Sequence, residues 1–178
     1  MLRTFIAIDL PNDVKEHLAM MQGGIPGARW VDDDNLHLTL RFVGDIEGHV
    51  FDHLADALDR IQFPPFDVTL SGVGHFPPRK QPKTLWVGAV SDQLKALRDR
   101  VERTVVECGL DPERRKYHPH VTVARLNGSP SSKVARFLAS YGMFRHDPFL
   151  VKSFHMYISH LHASGADYSR EVSFDLRA

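Results

Sequence analysis

Two histidine–threonine pairs stand out in this chain: His37-Leu38-Thr39-Leu40 and His120-Val121-Thr122-Val123. With 11 histidines and 6 threonines in 178 residues, about 0.4 His-x-Thr triplets are expected by chance, and about 0.07 when both other positions must be apolar. Alternate side chains of a strand share a face. His37 and Thr39 therefore point one way and Leu38 and Leu40 the other, into a core; the second motif repeats the arrangement. A twofold relation between the motifs sets two imidazoles and two hydroxyls around one small anionic group. That set suits phosphodiester hydrolysis. A neutral imidazole takes a proton from water, a protonated one gives a proton to the leaving oxygen, and the hydroxyls donate to nonbridging phosphate oxygens. Imidazole serves both roles because its unperturbed pKa is ~6.5, and each proton transfer contributes roughly 10²–10⁴-fold. One His-x-Thr alone reads as a strand histidine packed for stability; the matched pair favours chemistry.

The elements that must carry these motifs read as one pattern written twice. Phe5–Leu10 is a β-rich run, and Pro11 opens a helix with Val14, Leu18 and Met21 on one face, stopped by the glycine-rich stretch 23–27. The strand 37–42 follows, then a helix with Phe51, Leu54, Leu58 and Ile61, ended by Pro64-Pro65, then a strand from Phe66. After the turn-rich segment 76–83 the order returns. A strand spans 85–90, and a helix from Ser91 carries Leu94, Leu97, Val101, Val105 and Cys108, closed by Gly109. The strand 120–125, a helix after Pro130 (Val134, Phe137, Leu138, Tyr141) and one strand over 149–159 complete it. His37 to Phe66 and His120 to Phe149 both span 29 positions. The chain is expected to form a single α+β domain over 1–178, with repeat halves of about 1–80 and 81–178. Each half would be a lobe with a mainly antiparallel sheet and helices on its outer face, the active-site groove lying between them.

Composition narrows the function classes. Acidic and basic residues balance at 22 each, which argues against long-range capture of duplex nucleic acid or anionic membrane. Cys108 is the single cysteine, so neither a disulfide framework nor a cysteine zinc site forms within one chain. No apolar stretch approaches the ~20 residues of a membrane span, and Asp9 and Pro11 interrupt the apolar N-terminus. A cytoplasmic monomer with no membrane association is expected.

The paired motifs resemble the two-histidine (2H) phosphoesterase superfamily, and within it the RNA 2′,3′-cyclic phosphodiesterase (2′-5′ RNA ligase) family. The resemblance runs over nearly the whole chain: FIAIDLP at 5–11, RWV at 29–31, HLTLRFVG at 37–44, PHVTVAR at 119–125, and the MYIS…YSREVSFDL ending. It implies hydrolysis of RNA 2′,3′-cyclic phosphate ends to 2′-phosphomonoesters, with no metal and no cofactor, and RNA termini as partners. His37 would be the general acid and His120 the general base. Thr39 and Thr122 would bind phosphate, and Phe42 and Arg125 would contact the nucleotide. The reverse reaction, 2′-5′ RNA ligation, is a side activity of the family. Strict alternation sits uneasily with this, because it puts Phe42 with Leu38 and Leu40, Arg125 with Val121 and Val123, and Arg41 with His37 and Thr39. Either the strands twist or bulge after the motif, or Arg41 is the arginine of the site.

Other residues carry weaker signals. His49 and His53 have helical metal-pair spacing but no HExxH glutamate, so a solvent-facing helix is the better reading. His118 reads as a neighbour of His120, and His160 and His162 as part of a terminal loop. Arg79, Lys80 and Lys83, and Arg114, Arg115 and Lys116, are basic clusters that either hold RNA phosphates at the groove mouth or are simply solvated. Ser159 and Tyr168 are candidates to approach the groove. The competing functions are a 2H phosphodiesterase for a 2′-5′ oligonucleotide or small cyclic phosphate, a non-catalytic RNA-end-binding module, and a zinc hydrolase using His49 and His53.

Overall fold

A computed structural model describes all residues from Met1 to Ala178. In chain order the elements are β1 (Leu2–Asp9), α1 (Asn12–Ala19), β2 (Ala28–Trp30), a 3-10 turn (Asp33–Asn35), β3 (His37–Ile46), α2 (Gly48–Asp59), β4 (Phe66–Phe76), β5 (Thr84–Val90), α3 (Asp92–Glu107), β6 (His120–Leu126), α4 (Ser131–Ser140), β7 (Arg145–Val151), β8 (Ser153–His162) and β9 (Gly165–Asp175). The helices form where the apolar stripes require them. Leu94, Leu97, Val101 and Val105 of α3 are fully buried. Ser91 caps that helix by accepting the Leu94 amide at 3.1 Å, and Gly109 leaves it at φ +87°.

The strands form one antiparallel sheet in the order β7-β4-β5-β6-β3-β1-β8-β9, with β2 beside β6. The order interleaves the two halves of the chain. β4 lies between β5 and β7, while β8 and β9 extend the side built on β1 and β3. β3 and β6 meet at the centre through the single pair Leu38–Val121. One face of the sheet joins the helices in a core of 36 buried residues, among them Leu18, Leu54, Leu97 and Val134 from the helices and Leu38, Leu40, Val121 and Val123 from the central strands. The opposite face carries a small separate apolar cluster, Phe5, Ala7 and Tyr157, with Tyr168 packed against it.

Two readings of the chain end are corrected. The stretch 149–159 is not one strand. It breaks at Lys152 into β7, which pairs with β4, and β8, which pairs with β1 and β9. His160 and His162 lie in the β8–β9 hairpin and not in a loop, paired with Asp167 and Gly165. No helix is long and apolar enough to cross a membrane.

Candidate active site

The sheet face turned away from the helices collects the chemistry. The Leu38–Val121 pair points those two side chains into the core, so the flanking positions face out. Continued one step each way, that antiparallel register sets His37 opposite Thr122 and Thr39 opposite His120. The two His–Thr pairs thus share one floor, as the repeated motif requires.

A bulge in each central strand settles the faces of the residues beyond the motif. On β3 the register against β1 steps from Ala7–Thr39 to Ile6–Arg41, leaving Leu40 unpaired. On β6 the register against β5 steps from Trp86–Thr122 to Leu85–Ala124, leaving Val123 unpaired. An extra residue on one strand inverts the alternation after it. Leu40 and Arg41 are both buried, as are Val123 and Ala124, and the next residues, Phe42 and Arg125, are exposed. Phe42 pairs with Phe5 and Arg125 with Thr84, both on the groove face. Phe42 and Arg125 therefore join the histidines.

The same bulges turn Arg41 off the face of His37 and Thr39, although it still lines a pocket with Thr39, Phe42 and His120. Its side chain is 7% exposed and on the core face. The guanidinium donates to Glu102 of α3 and to the carbonyls of Phe42 and Asp111. Arg41 ties β3 to α3 and to the segment before β6, and three of its five N–H groups are committed to those ties.

Both histidines are oriented in one way. Nδ1 of His37 lies 2.7 Å from the Asn35 carbonyl, and Nδ1 of His120 lies 2.6 Å from the His118 carbonyl. A carbonyl oxygen only accepts, so each Nδ1 carries the proton. Each Nε2 is left for the groove, as a lone pair in the neutral ring and a donor in the cation. The orienting carbonyls are themselves braced. Asn35 Nδ2 donates to the Ala166 carbonyl on β9 at 2.9 Å. Tyr117, next to His118, donates its hydroxyl to the Thr39 carbonyl at 2.8 Å.

Aromatic rings wall both sides. His37 lies 4.9 Å from Phe5 and edge-on to Tyr168 at 5.2 Å. His120 lies 5.0 Å from Phe76 and 6.2 Å from Trp86. This environment disfavours the imidazolium. Burial pushes His37 down to about 4, and the nearby positive charges of His120 and Arg125 act in the same direction. Burial also lowers His120, with the His118 charge adding to it. Both rings are thus predominantly neutral near pH 7 in the unliganded protein. An anion between them would favour the charged form.

The remaining candidates separate clearly. Tyr168 reaches the site, and Ser159 is its cross-strand partner. His118 stands 4.7 Å from Trp86 and borders the His120 side. Arg115 and Lys116 line a pocket with Thr39, Phe42 and His120, whereas Arg79, Lys80 and Lys83 lie on the β4–β5 turn and do not line it. His49 and His53 are exposed on α2, and no group of three or more His, Cys, Asp or Glu side chains is placed to hold a metal ion. Tyr117, Asn35 and the aromatic wall had no distinct signal in the sequence. The one available clue was that Asn35 and His118 occupy the same position, two before each histidine.

The LigT-like phosphoesterase family matches the chain twice, over residues 8–86 and 87–166, and each stretch holds one His-x-Thr motif. Several relatives bear the name RNA 2′,3′-cyclic phosphodiesterase. The Thermotoga maritima protein is 34% identical over 137 residues, 72% of this chain and 72% of that protein. The Archaeoglobus fulgidus protein is 26% identical over 171 residues, 94% of this chain and 96% of that protein. The Aeropyrum pernix protein is 39% identical over 108 residues, 60% of this chain and 61% of that protein. The fold is that of Escherichia coli LigT in its apo form, with a TM-score of 0.81 at 24% identity over 99% of this chain and 98% of that one. It is equally that of the Thermus thermophilus protein TT0787, with a TM-score of 0.82 at 24% identity and the same coverage. With both halves matched, one His-x-Thr motif in each, and the two motifs meeting on one floor, the chain belongs to the LigT-like phosphoesterase family.

Proposed function

We propose that this protein hydrolyses RNA 2′,3′-cyclic phosphate ends to 2′-phosphomonoesters by paired-histidine acid–base catalysis that needs neither metal nor nucleotide cofactor. The observation that carries the reading is the matched orientation of His37 and His120. Each commits its Nδ1–H to a backbone carbonyl two residues upstream and keeps Nε2 for the groove. Water attacks phosphorus opposite the ribose O3′. His120 Nε2 takes the proton of that water, and the P–O3′ bond breaks as His37 Nε2–H protonates O3′. The P–O2′ bond stays, which gives the 2′-phosphate. Thr39 and Thr122 donate hydroxyl hydrogens to the nonbridging oxygens. Arg125 and Phe42 contact the nucleotide.

The substrate supplies what the free site lacks. Its negative charge offsets the burial that keeps both rings neutral, so one imidazolium forms when the phosphate is seated. With a 5′-hydroxyl in place of water, the same steps join RNA ends through a 2′-5′ bond. Family membership and the names of the relatives support the cyclic phosphodiesterase reading. The zero net charge fits contact with a short RNA end in the cytoplasm better than a long track.

The test is incubation of EDTA-treated protein with a short RNA ending in a 2′,3′-cyclic phosphate. Products would be resolved against 2′- and 3′-phosphate standards. Conversion to the 2′-phosphate alone is expected. A 3′-phosphate product would reverse the leaving group, and no conversion would overturn the substrate assignment.

A further inference from the structure

The His120 side of the groove opens into a pocket of about 400 Å³ between β3 and the segment 110–119. The segment is held there by three ties to the rest of the molecule. Arg41 donates to the Asp111 carbonyl, Glu102 Oε1 accepts the Glu113 amide at 2.8 Å, and Tyr117 donates to the Thr39 carbonyl. It is a built wall, and its charges are unevenly matched. Glu102 is taken by Arg41 and Glu113 by Arg115 at 3.1 Å. That leaves two cations with little or no compensation. Lys116 has no ion pair. Arg98 is 13% exposed, its Nε is buried without a hydrogen-bond partner, and its only carboxylate is the exposed Asp99 at 3.5 Å. The Arg98 guanidinium lies over the Tyr117 ring at 5.2 Å, which fixes it at the pocket wall. Its terminal nitrogens make only the long contact to Asp99, so guanidinium N–H groups at the pocket wall are left for an anionic acceptor. Phe42, exposed on the same pocket, offers an apolar surface on which a base can stack.

We propose that this pocket is a subsite for the backbone phosphate of the nucleotide preceding the cyclic end, held by Arg98 and Lys116 with Phe42 beneath the adjoining base. The proposal rests on the cyclic phosphodiesterase reading, and it makes the substrate an oligonucleotide in preference to a mononucleotide. A nucleoside 2′,3′-cyclic phosphate lacks the phosphate that this subsite holds; a dinucleotide ending in the same cyclic phosphate has it.

The experiment compares kcat/KM for a nucleoside 2′,3′-cyclic phosphate with that for the di- and trinucleotides ending in the same group, in wild type, Lys116→Ala and Arg98→Gln. Wild type should favour the dinucleotide about tenfold or more, the worth of one charge-assisted hydrogen bond, with little further gain for the trinucleotide. Each variant should lower that ratio. Lys116 is exposed, so its variant reports on the subsite whether or not Arg98→Gln folds, and thermal unfolding of both would be recorded. Equal turnover of mono- and dinucleotide by wild type would overturn the subsite while leaving the hydrolase reading intact. A preference unchanged in both variants would likewise overturn it. Absence of turnover on every substrate would overturn the hydrolase reading and the subsite together.

Discussion

Leu38 and Val121 face each other as the single paired rung between β3 and β6, and that rung joins the two strands that carry the proposed catalytic set. Both side chains are fully buried in the core, while the histidines and threonines beside them emerge on the other face. Substituting Leu38 by Ala removes buried methyl groups at the point where the motifs meet. A stability loss of about 2–5 kcal/mol is expected, measured by urea unfolding, with kcat falling even in protein that remains folded.

The pH dependence follows from the burial of both imidazoles. One ring must be charged and the other neutral, so kcat/KM should be bell-shaped. His37 in the free protein lies at about 4 and His120 below its ordinary value. The profile of kcat/KM should therefore peak on the acid side of ~6.5. The profile of kcat should lie at higher pH, because bound phosphate raises both values. The two limbs belong to the coupled pair. A flat profile between about pH 5 and 9 with chemistry rate-limiting would contradict paired-histidine catalysis.

Arg41 and Arg125 should separate by phenotype. Arg41→Ala leaves Glu102, only 15% exposed, without its partner. A destabilisation of about 3–5 kcal/mol is expected, with KM for a nucleoside 2′,3′-cyclic phosphate unchanged in whatever remains folded. Arg125→Ala should leave unfolding within about 0.5 kcal/mol of wild type, as an exposed position does, and raise KM for cyclic-phosphate RNA. Thermal unfolding and steady-state kinetics on both variants check this. A KM effect confined to Arg41→Ala would reverse the face assignment.

Gly74 makes room for Trp86. A Cβ there would lie 2.3 Å from the indole, so Gly74→Ala must displace a ring that walls His118 and His120. Activity should fall about tenfold or more, as a misplaced catalytic group dictates, and the tryptophan fluorescence maximum should shift. Gly48→Ala, with nothing within 4 Å of the added carbon, should alter neither.

His155 makes the fold acid-sensitive. It is 4% exposed, its Nδ1 is 2.8 Å from Ser173 Oγ, and burial pushes its pKa to about 4. Between ~6.5 and ~4 the unfolded chain binds a proton that the folded chain refuses, so stability falls as pH falls through this window and does not change above it through this group. The contribution is on the order of 3 kcal/mol. Urea unfolding at about pH 7 and about pH 4.5 should show the loss, and His155→Asn should reduce it.

Local order was legible where the sequence pattern is local. The stripe of α3, its Ser91 cap and the outward-facing His–Thr pairs all follow from spacing within a few residues. The bulges at Leu40 and Val123 could be named from the sequence only as one of two alternatives, because a bulge belongs to the pairing with β1 or β5 and leaves no mark in its own strand. Alternation extended past them put Arg41 with His37 and Thr39 and Phe42 with Leu38 and Leu40, whereas Phe42 is exposed and Arg41 is buried at the pocket wall. The exchange of β4, β8 and β9 between the halves was hidden for the same reason: strand partners are chosen at long range. The break at Lys152 was masked by an apolar pattern that continues across it. The β8–β9 hairpin is exposed toward its tip, so it lacked the alternation that marks a half-buried strand.

The division of labour between His37 and His120 is tested most directly by an RNA cyclic phosphate carrying sulfur at the 3′ bridging position. A thiolate leaves without protonation, so a missing general acid should no longer matter. His37→Ala should lose roughly 10²–10⁴-fold on the ordinary substrate and regain turnover to within about tenfold of wild type on the sulfur substrate. His120→Ala should be impaired on both. Equal impairment of His37→Ala on both substrates, or wild-type turnover of the ordinary substrate by either variant, would contradict acid catalysis by His37 paired with base catalysis by His120.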